Sequence, residues 1–161
     1  MSVAFRRDSD EEHKEPRPEL PIPVGPNLVT PRGLALIEAK AAEREAALAD
    51  LVAAGGGEEA IEAIRRELRY WHVRRATAQV TAPPADPEEA GFGSRVTYKQ
   101  AGETRTVDIV GDDEADPAAG RIAFTAPLAR ALIGAGVGDK VDFAGRPEAL
   151  KLVAVAPIPE D

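Results

Sequence analysis

Two hydrophobic periods divide this chain. Between residues 30 and 80, apolar positions recur three and four apart on either side of Gly55-Gly56-Gly57. Leu34, Ile37, Ala41, Leu48 and Leu51 lead in, with Arg44 on the same stripe; Ile61, Ile64, Leu68, Trp71 and Ala78 lead out, with Arg75 on theirs. The spacing predicts two helices closed into an antiparallel hairpin. Leu51 then faces Ile61, Leu48 faces Ile64, Arg44 faces Leu68, Ala41 faces Trp71 and Ile37 faces Arg75, so the one large aromatic meets a small partner. Thr30 with Pro31 suits an N-cap and a first helical position, and three glycines are a favourable place to stop one helix and start another. An arm of about 24 residues extends roughly 35 Å at ~1.5 Å per residue. Such a rod buries only one seam, so the rest of the chain must anchor it.

Residues 81–91, with Pro83, Pro84 and Pro87, break the helix and read as a linker. Beyond them the period shortens to two, giving strands over 94–100, 104–110, 121–125, 140–143 and 149–155. A short amphipathic helix over 127–133 sits between the third and fourth, with Pro127 in its first turn and Gly134 at its end. Glycines 102, 111, 120, 138 and 145 mark the turns. The expected fold is α+β: an N-terminal helical hairpin over 30–80, then a small antiparallel β domain with one helix over 92–158. Residues 1–29, charged and then proline-punctuated, read as a disordered or extended tail, in which Leu20, Ile22 and Val24 could still pack on the hairpin base.

Composition narrows the chemistry. The chain has no cysteine, so disulfides, thiolate metal sites and a cysteine nucleophile are excluded, and its two histidines, His13 and His72, are far apart. His13 is expected exposed in the tail and His72 exposed off the seam. No apolar run of about 18 residues is present, so no membrane span is expected, and a cytoplasmic location follows. The net charge of -8 is uneven: residues 30–80 carry eight cationic and eight anionic side chains, whereas 81–161 carry eight against fourteen. That balance disfavours stable duplex DNA binding, which needs a cationic surface. Arg65, Arg66, Arg69, Arg74 and Arg75 read as a solvated face paired with acids such as Glu62 and Glu67, and Trp71 as seam packing.

Several segments together carry a resemblance. Ile109-Val110-Gly111-Asp112-Asp113-Glu114-Ala115-Asp116, then Gly120-Arg121-Ile122, then Ala126 to Gly134, then Val137-Gly138-Asp139-Lys140-Val141, with Phe92-Gly93-Ser94-Arg95-Val96 before them, resemble the C-terminal domain of the GreA/GreB transcript-cleavage factors. Val29-Thr30-Pro31-Arg32-Gly33-Leu34 resembles that family's entry into its coiled-coil hairpin, so the likeness spans about residues 29–158. It implies an FKBP-like C-terminal domain docking at the rim of the secondary channel of bacterial RNA polymerase while the hairpin enters the channel. The docking loop implied is Thr125, Ala126, Pro127 and Leu128, with Ala126 where the family has a serine. In the cleavage factors, an Asp and a Glu at the hairpin tip hold a second Mg²⁺ for the polymerase, completing a two-metal clamp; the factor alone is then no enzyme.

The chain departs from that pattern at the tip. Gly55-Gly56-Gly57-Glu58-Glu59-Ala60-Ile61-Glu62 stands in place of the family's acidic loop, and the arms are several turns shorter. Glu59 and Glu62 keep a spacing of three and are the metal candidates, although acids in a first helical turn are what the helix dipole favours anyway. These proportions resemble the short-hairpin Rnk-like members of the superfamily, implying polymerase binding without cleavage stimulation and no cofactor. The alternatives are a working cleavage stimulator using Glu58, Glu59 or Glu62 with Mg²⁺, a prolyl isomerase suggested by the FKBP-like fold alone, and direct nucleic-acid binding through the arginines of the second arm.

Overall fold

The computed structural model describes residues 17–160; the expectation for His13 and most of the tail lies outside them. Strand β1 (Leu28–Val29) leads into helix α1 (Pro31–Ala53), a glycine turn, helix α2 (Glu58–Thr77) and strand β2 (Gln79–Val80). Strands β3 (Ser94–Gln100), β4 (Glu103–Val110), β5 (Arg121–Ala123), β6 (Lys140–Phe143) and β7 (Arg146–Pro157) build the second part, with helix α3 (Pro127–Leu132) between β5 and β6. The fold is α+β, a helical hairpin followed by an antiparallel-rich sheet with one helix of its own.

Thr30 caps α1 as its sequence suggests, its Oγ1 accepting the Gly33 N–H at 3.0 Å, and Pro31 occupies the first turn. The two helices are 23 and 20 residues long, about 35 and 30 Å of rod. Ile37, Ala41 and Leu68 are buried between or beneath them, while Leu48, Leu51, Ile61 and Ile64 nearer the tip are half-buried, as expected for a seam with no third layer over it. His72 is exposed, with its Nε2 3.0 Å from Glu45 Oε1 across the hairpin.

The seam expected at Arg75 is corrected. Arg74, not Arg75, is buried, at 1% exposure, and Arg75 faces solvent. At the base of the rod the helix no longer answers only to its partner helix; it packs on the second part of the chain, which selects a different side of α2. The reading of Arg74 as part of a solvated face fails for the same reason, while Arg69 pairs with Glu62 as that reading expects.

The tail is corrected at its end. Leu28–Val29 pair in parallel with Gln79–Val80, so the entry and exit of the hairpin are stitched into one small ribbon. The linker is also more fixed than its prolines suggest. Ala90 is buried, its N–H donates to the Ala135 carbonyl at 2.8 Å, and its carbonyl accepts from Gly134 N–H at 2.8 Å.

The main sheet has the order β5-β4-β3-β7-β6. Its ladders are antiparallel except for β4 with β5, which run parallel across Asp108↔Arg121 to Val110↔Ala123. The chain turns through the Pro117–Ala119 3₁₀ segment between those two strands, so β5 returns in the direction of β4 as a short edge strand. On one face, Val96, Tyr98, Val107, Ile109, Leu150 and Leu152 pack against Ala129 and Leu132 of α3, forming the hydrophobic core. Phe92 and Phe124 close its end edge-to-face, 5.6 Å apart.

Candidate functional site

Three regions bear on function: the hairpin tip, the loop at the start of α3, and a buried polar joint between them. At the tip, α1 ends at Ala53, Gly55 takes a φ of +72°, and Gly56 lies so close to Leu51 that an added Cβ would meet its Cδ1 at 2.3 Å. Glycine is therefore favoured at 55 for backbone sign, and at 56 a Cβ would have to push aside the half-buried Leu51 side chain. Gly57 then caps α2, with Glu58 and Glu59 in its first turn where the helix dipole favours acids.

The two metal candidates each face a cation of the same chain. Glu59 Oε1 lies 3.1 Å from Arg17 Nη2, and Glu62 Oε1 lies 2.7 Å from Arg69 Nη2. They are one helical turn apart but are turned to different arginines. Among the described residues, no group of three or more His, Asp or Glu side chains gathers to hold an ion. As the structure has them, each of the two carboxylates is paired with its own arginine.

At the other site, Ala126 is the N-cap of α3 and offers no side-chain cap, and Pro127 opens the helix. Pro127 is exposed, whereas Leu128 is half-buried against the core, so the turn is rigid and its apolar ring faces outward. Thr125 points inward: its hydroxyl donates to Asp112 Oδ1 at 2.7 Å.

That bond leads to the joint, which the sequence reading missed as a unit. The loop after β4, Asp112-Asp113-Glu114, meets the base of the hairpin with all three carboxylates engaged. Asp113 accepts the Tyr70 hydroxyl at 2.5 Å and Arg74 Nε at 2.6 Å; Asp112 Oδ2 stands 3.8 Å from Arg74 Nη2; and Glu114 Oε1 accepts the Thr30 hydroxyl at 2.5 Å. Arg74 Nη2 also donates to Asn27 Oδ1 at 2.8 Å, and Asn27 Nδ2 returns a bond to the Arg74 carbonyl at 2.8 Å. Burial, and after it the hydrogen bond to Asp113, pushes the Tyr70 phenol well above its ordinary value, so it stays a neutral donor. Two close approaches make the fit possible. A Cβ on Gly111 would meet the Leu28 carbonyl oxygen at 2.4 Å, and one on Gly33 would meet Glu114 Oε1 at 2.9 Å.

Asp112, Asp113, Glu114, Thr30, Gly33 and Gly111 all stand in the segments that carried the resemblance, but nothing in their spacing named a partner. The available signal was a run of three acids directly after a buried strand. A loop with that much charge beside a core needs a cation, and Arg74 is the buried one.

A slender two-helix rod pinned by its base to a small α+β domain is thus the class of protein defined by the fold. Residues 85–156 match the family described as "Transcription elongation factor, GreA/GreB, C-term". Curated relatives include the transcription elongation factor GreA of Chelativorans sp., 40% identical over 76 residues that cover 47% of this chain and 48% of that one. The GreA of Lactococcus lactis subsp. cremoris is 47% identical over 57 residues, covering 34% and 36%. The chain spans about half the length of the curated relatives it matches. Among solved structures, GreA/GreB from Nitrosomonas europaea aligns with a TM-score of 0.40 at 21% identity, covering 81% of this chain and 98% of that one. The GreA homologue Gfh1 of Thermus thermophilus aligns with a TM-score of 0.36 at 20% identity, covering 81% and 99%.

Proposed function

We propose that this chain binds bacterial RNA polymerase at its secondary channel and regulates elongation without stimulating transcript cleavage, as a short-hairpin, Rnk-like branch of the superfamily and not an enzyme. The loop Thr125–Ala126–Pro127–Leu128 docks on the polymerase surface. The exposed Pro127 ring supplies apolar contact, and the bond from Thr125 to Asp112 ties the loop to the joint that aims the rod. A hydroxyl at position 126 is replaced by a methyl group, so docking relies on shape and apolar area more than on a hydrogen bond. The hairpin then occupies the channel. That the curated relatives are named transcription elongation factors supports the polymerase as partner.

The observation that carries the non-cleaving part of the reading is the short rod, whose arms of 23 and 20 residues extend only about 30–35 Å. Glu62 is in addition paired with Arg69, and Glu59 with Arg17 while the segment carrying Arg17 lies on the rod.

Co-purification with core polymerase tests docking, with Pro127→Glu expected to abolish association by placing a charge on the apolar contact. A backtracked elongation complex tests the rest: the chain leaves the rate of transcript cleavage unchanged. Faster cleavage that disappears in Glu59→Ala or Glu62→Ala would establish the cleavage-factor reading instead.

A further inference from the structure

The segment before Asn27 does not leave the hairpin. It climbs the flank of α2 from base to tip: Asn27 is bound at Arg74 and Thr77, Glu19 holds Arg69 through two bonds of 2.9 and 2.6 Å, and Arg17 reaches Glu59 at 3.1 Å. Arg74 and Glu59 are about 22 Å apart along the helix at ~1.5 Å per residue, and ten extended residues can span that distance with some slack. The segment also forms one wall of a groove of about 680 Å³, where Leu20 and Pro21 stand opposite Lys40, Arg66 and Trp71.

Its two ends are held very differently. Asn27 is buried at 4% exposure and Leu28–Val29 are paired in a ribbon, so residues 27–29 are fastened. Above them, no ladder among the described residues includes 17–24, and the apolar side chains Leu20, Ile22 and Val24 remain 38%, 41% and 95% exposed. It is held by the covered part of Leu20 and Ile22 and by two surface ion pairs, whose side chains are 63% and 75% exposed for Arg17 with Glu59, and 46% and 60% for Arg69 with Glu19. Between the fastened and loose parts sits Gly25, at φ +94° with open space around it.

We propose that residues 17–24 are a detachable strap that sheathes one flank of the hairpin and holds Glu59 at its tip, and that the rod engages polymerase only when the strap swings away about Gly25. This rests on the reading of the rod as the part that enters the polymerase. A rod carrying a third segment along its flank is broader than two helices, and its tip carboxylate is already occupied. Exposed ion pairs each shift an equilibrium by about fivefold at most, so the two of them contribute no more than roughly 25-fold to keeping the strap closed. The strap lowers apparent affinity by its closed-to-open ratio, and the ion pairs are the part of it that salt and charge substitutions remove.

The chain lacks cysteine, so Pro18→Cys with Ala60→Cys accepts a pair of spin labels without background. In the full chain these labels give one short distance. Glu19→Arg broadens it, adding Arg17→Glu broadens it further, and the swap Glu19→Arg with Arg69→Glu restores it. Affinity for core polymerase follows: about fivefold tighter for the single change, up to about 25-fold for the double, and back toward the starting value for the swap. Unchanged distances, or equal polymerase affinity across the set, overturn the strap while leaving the docking reading standing. If no form binds polymerase, both fall.

Discussion

Removing the arginine at the joint is the most informative perturbation of this structure. Arg74→Met keeps length and apolar stem but deletes the cation beside Asp113, whose side chain is only 5% exposed, and takes a partner from Asn27 Oδ1 at 2.8 Å. Breaking a buried pair from one side costs about 3–5 kcal/mol, because the remaining charge is desolvated without compensation. Asp113 would keep the Tyr70 hydroxyl at 2.5 Å, which places the expected loss near the lower end, about 3 kcal/mol. Against a total stability on the order of 5–15 kcal/mol, that is large. Urea unfolding followed by helical circular dichroism and by the fluorescence of Trp71, the one tryptophan, measures it. Trp71 packs edge-to-face on Tyr70 at 4.9 Å, so its signal reports on the same end of the rod. The double variant Arg74→Met/Asp113→Asn removes the stranded charge while keeping an acceptor for Tyr70, and more than half of the loss should return. A cost below about 1 kcal/mol, or a double variant no more stable than the single one, refutes the claim that this pair fastens rod to domain.

Gly111→Ala should destabilise by about 1–3 kcal/mol, since its Cβ would press on the Leu28 carbonyl at 2.4 Å, whereas Gly136→Ala, whose Cβ would meet nothing closer than 3.6 Å, should be near neutral; equal urea midpoints for the two would contradict the close approach. Both tyrosines, Tyr70 and Tyr98, are held above the ordinary phenol value chiefly by burial. Their folded values are raised, so the stability they contribute is complete below the unfolded value of about 10 and is lost as pH rises from there through the folded values. Phenolate absorbance should therefore stay absent near pH ~10 while the helical signal is intact, and its appearance in the folded chain would show that the hydroxyls are wetter than the structure has them.

The sequence by itself determined the elements and their order. The three-four spacing around the glycine triplet produced the hairpin, Thr30 and Pro31 its first turn, and alternating runs the strands, with 94–100 and 140–143 recovered to the residue. These are local matters: a period, a cap and a turn are set by neighbours a few residues away. The resemblance suggested the polymerase as partner and the loop at 125–128 as its docking site; in the structure Pro127 of that loop is exposed.

Only the tertiary structure decided what fastens the parts together. Heptad counting put Arg75 on the seam, because it asks only which side of α2 faces α1. The burial of Arg74 depends on a loop 39 residues further on, and the pairing of Glu59 with Arg17 on a residue 42 positions earlier. The parallel return of β5 onto β4 and the ribbon of Leu28–Val29 with Gln79–Val80 are likewise decided by which backbone edges meet. A charged side chain carries no mark of its eventual partner in its own sequence neighbourhood; the partner is chosen by the geometry that brings distant segments within a few ångströms, where desolvation makes an unpaired charge intolerable.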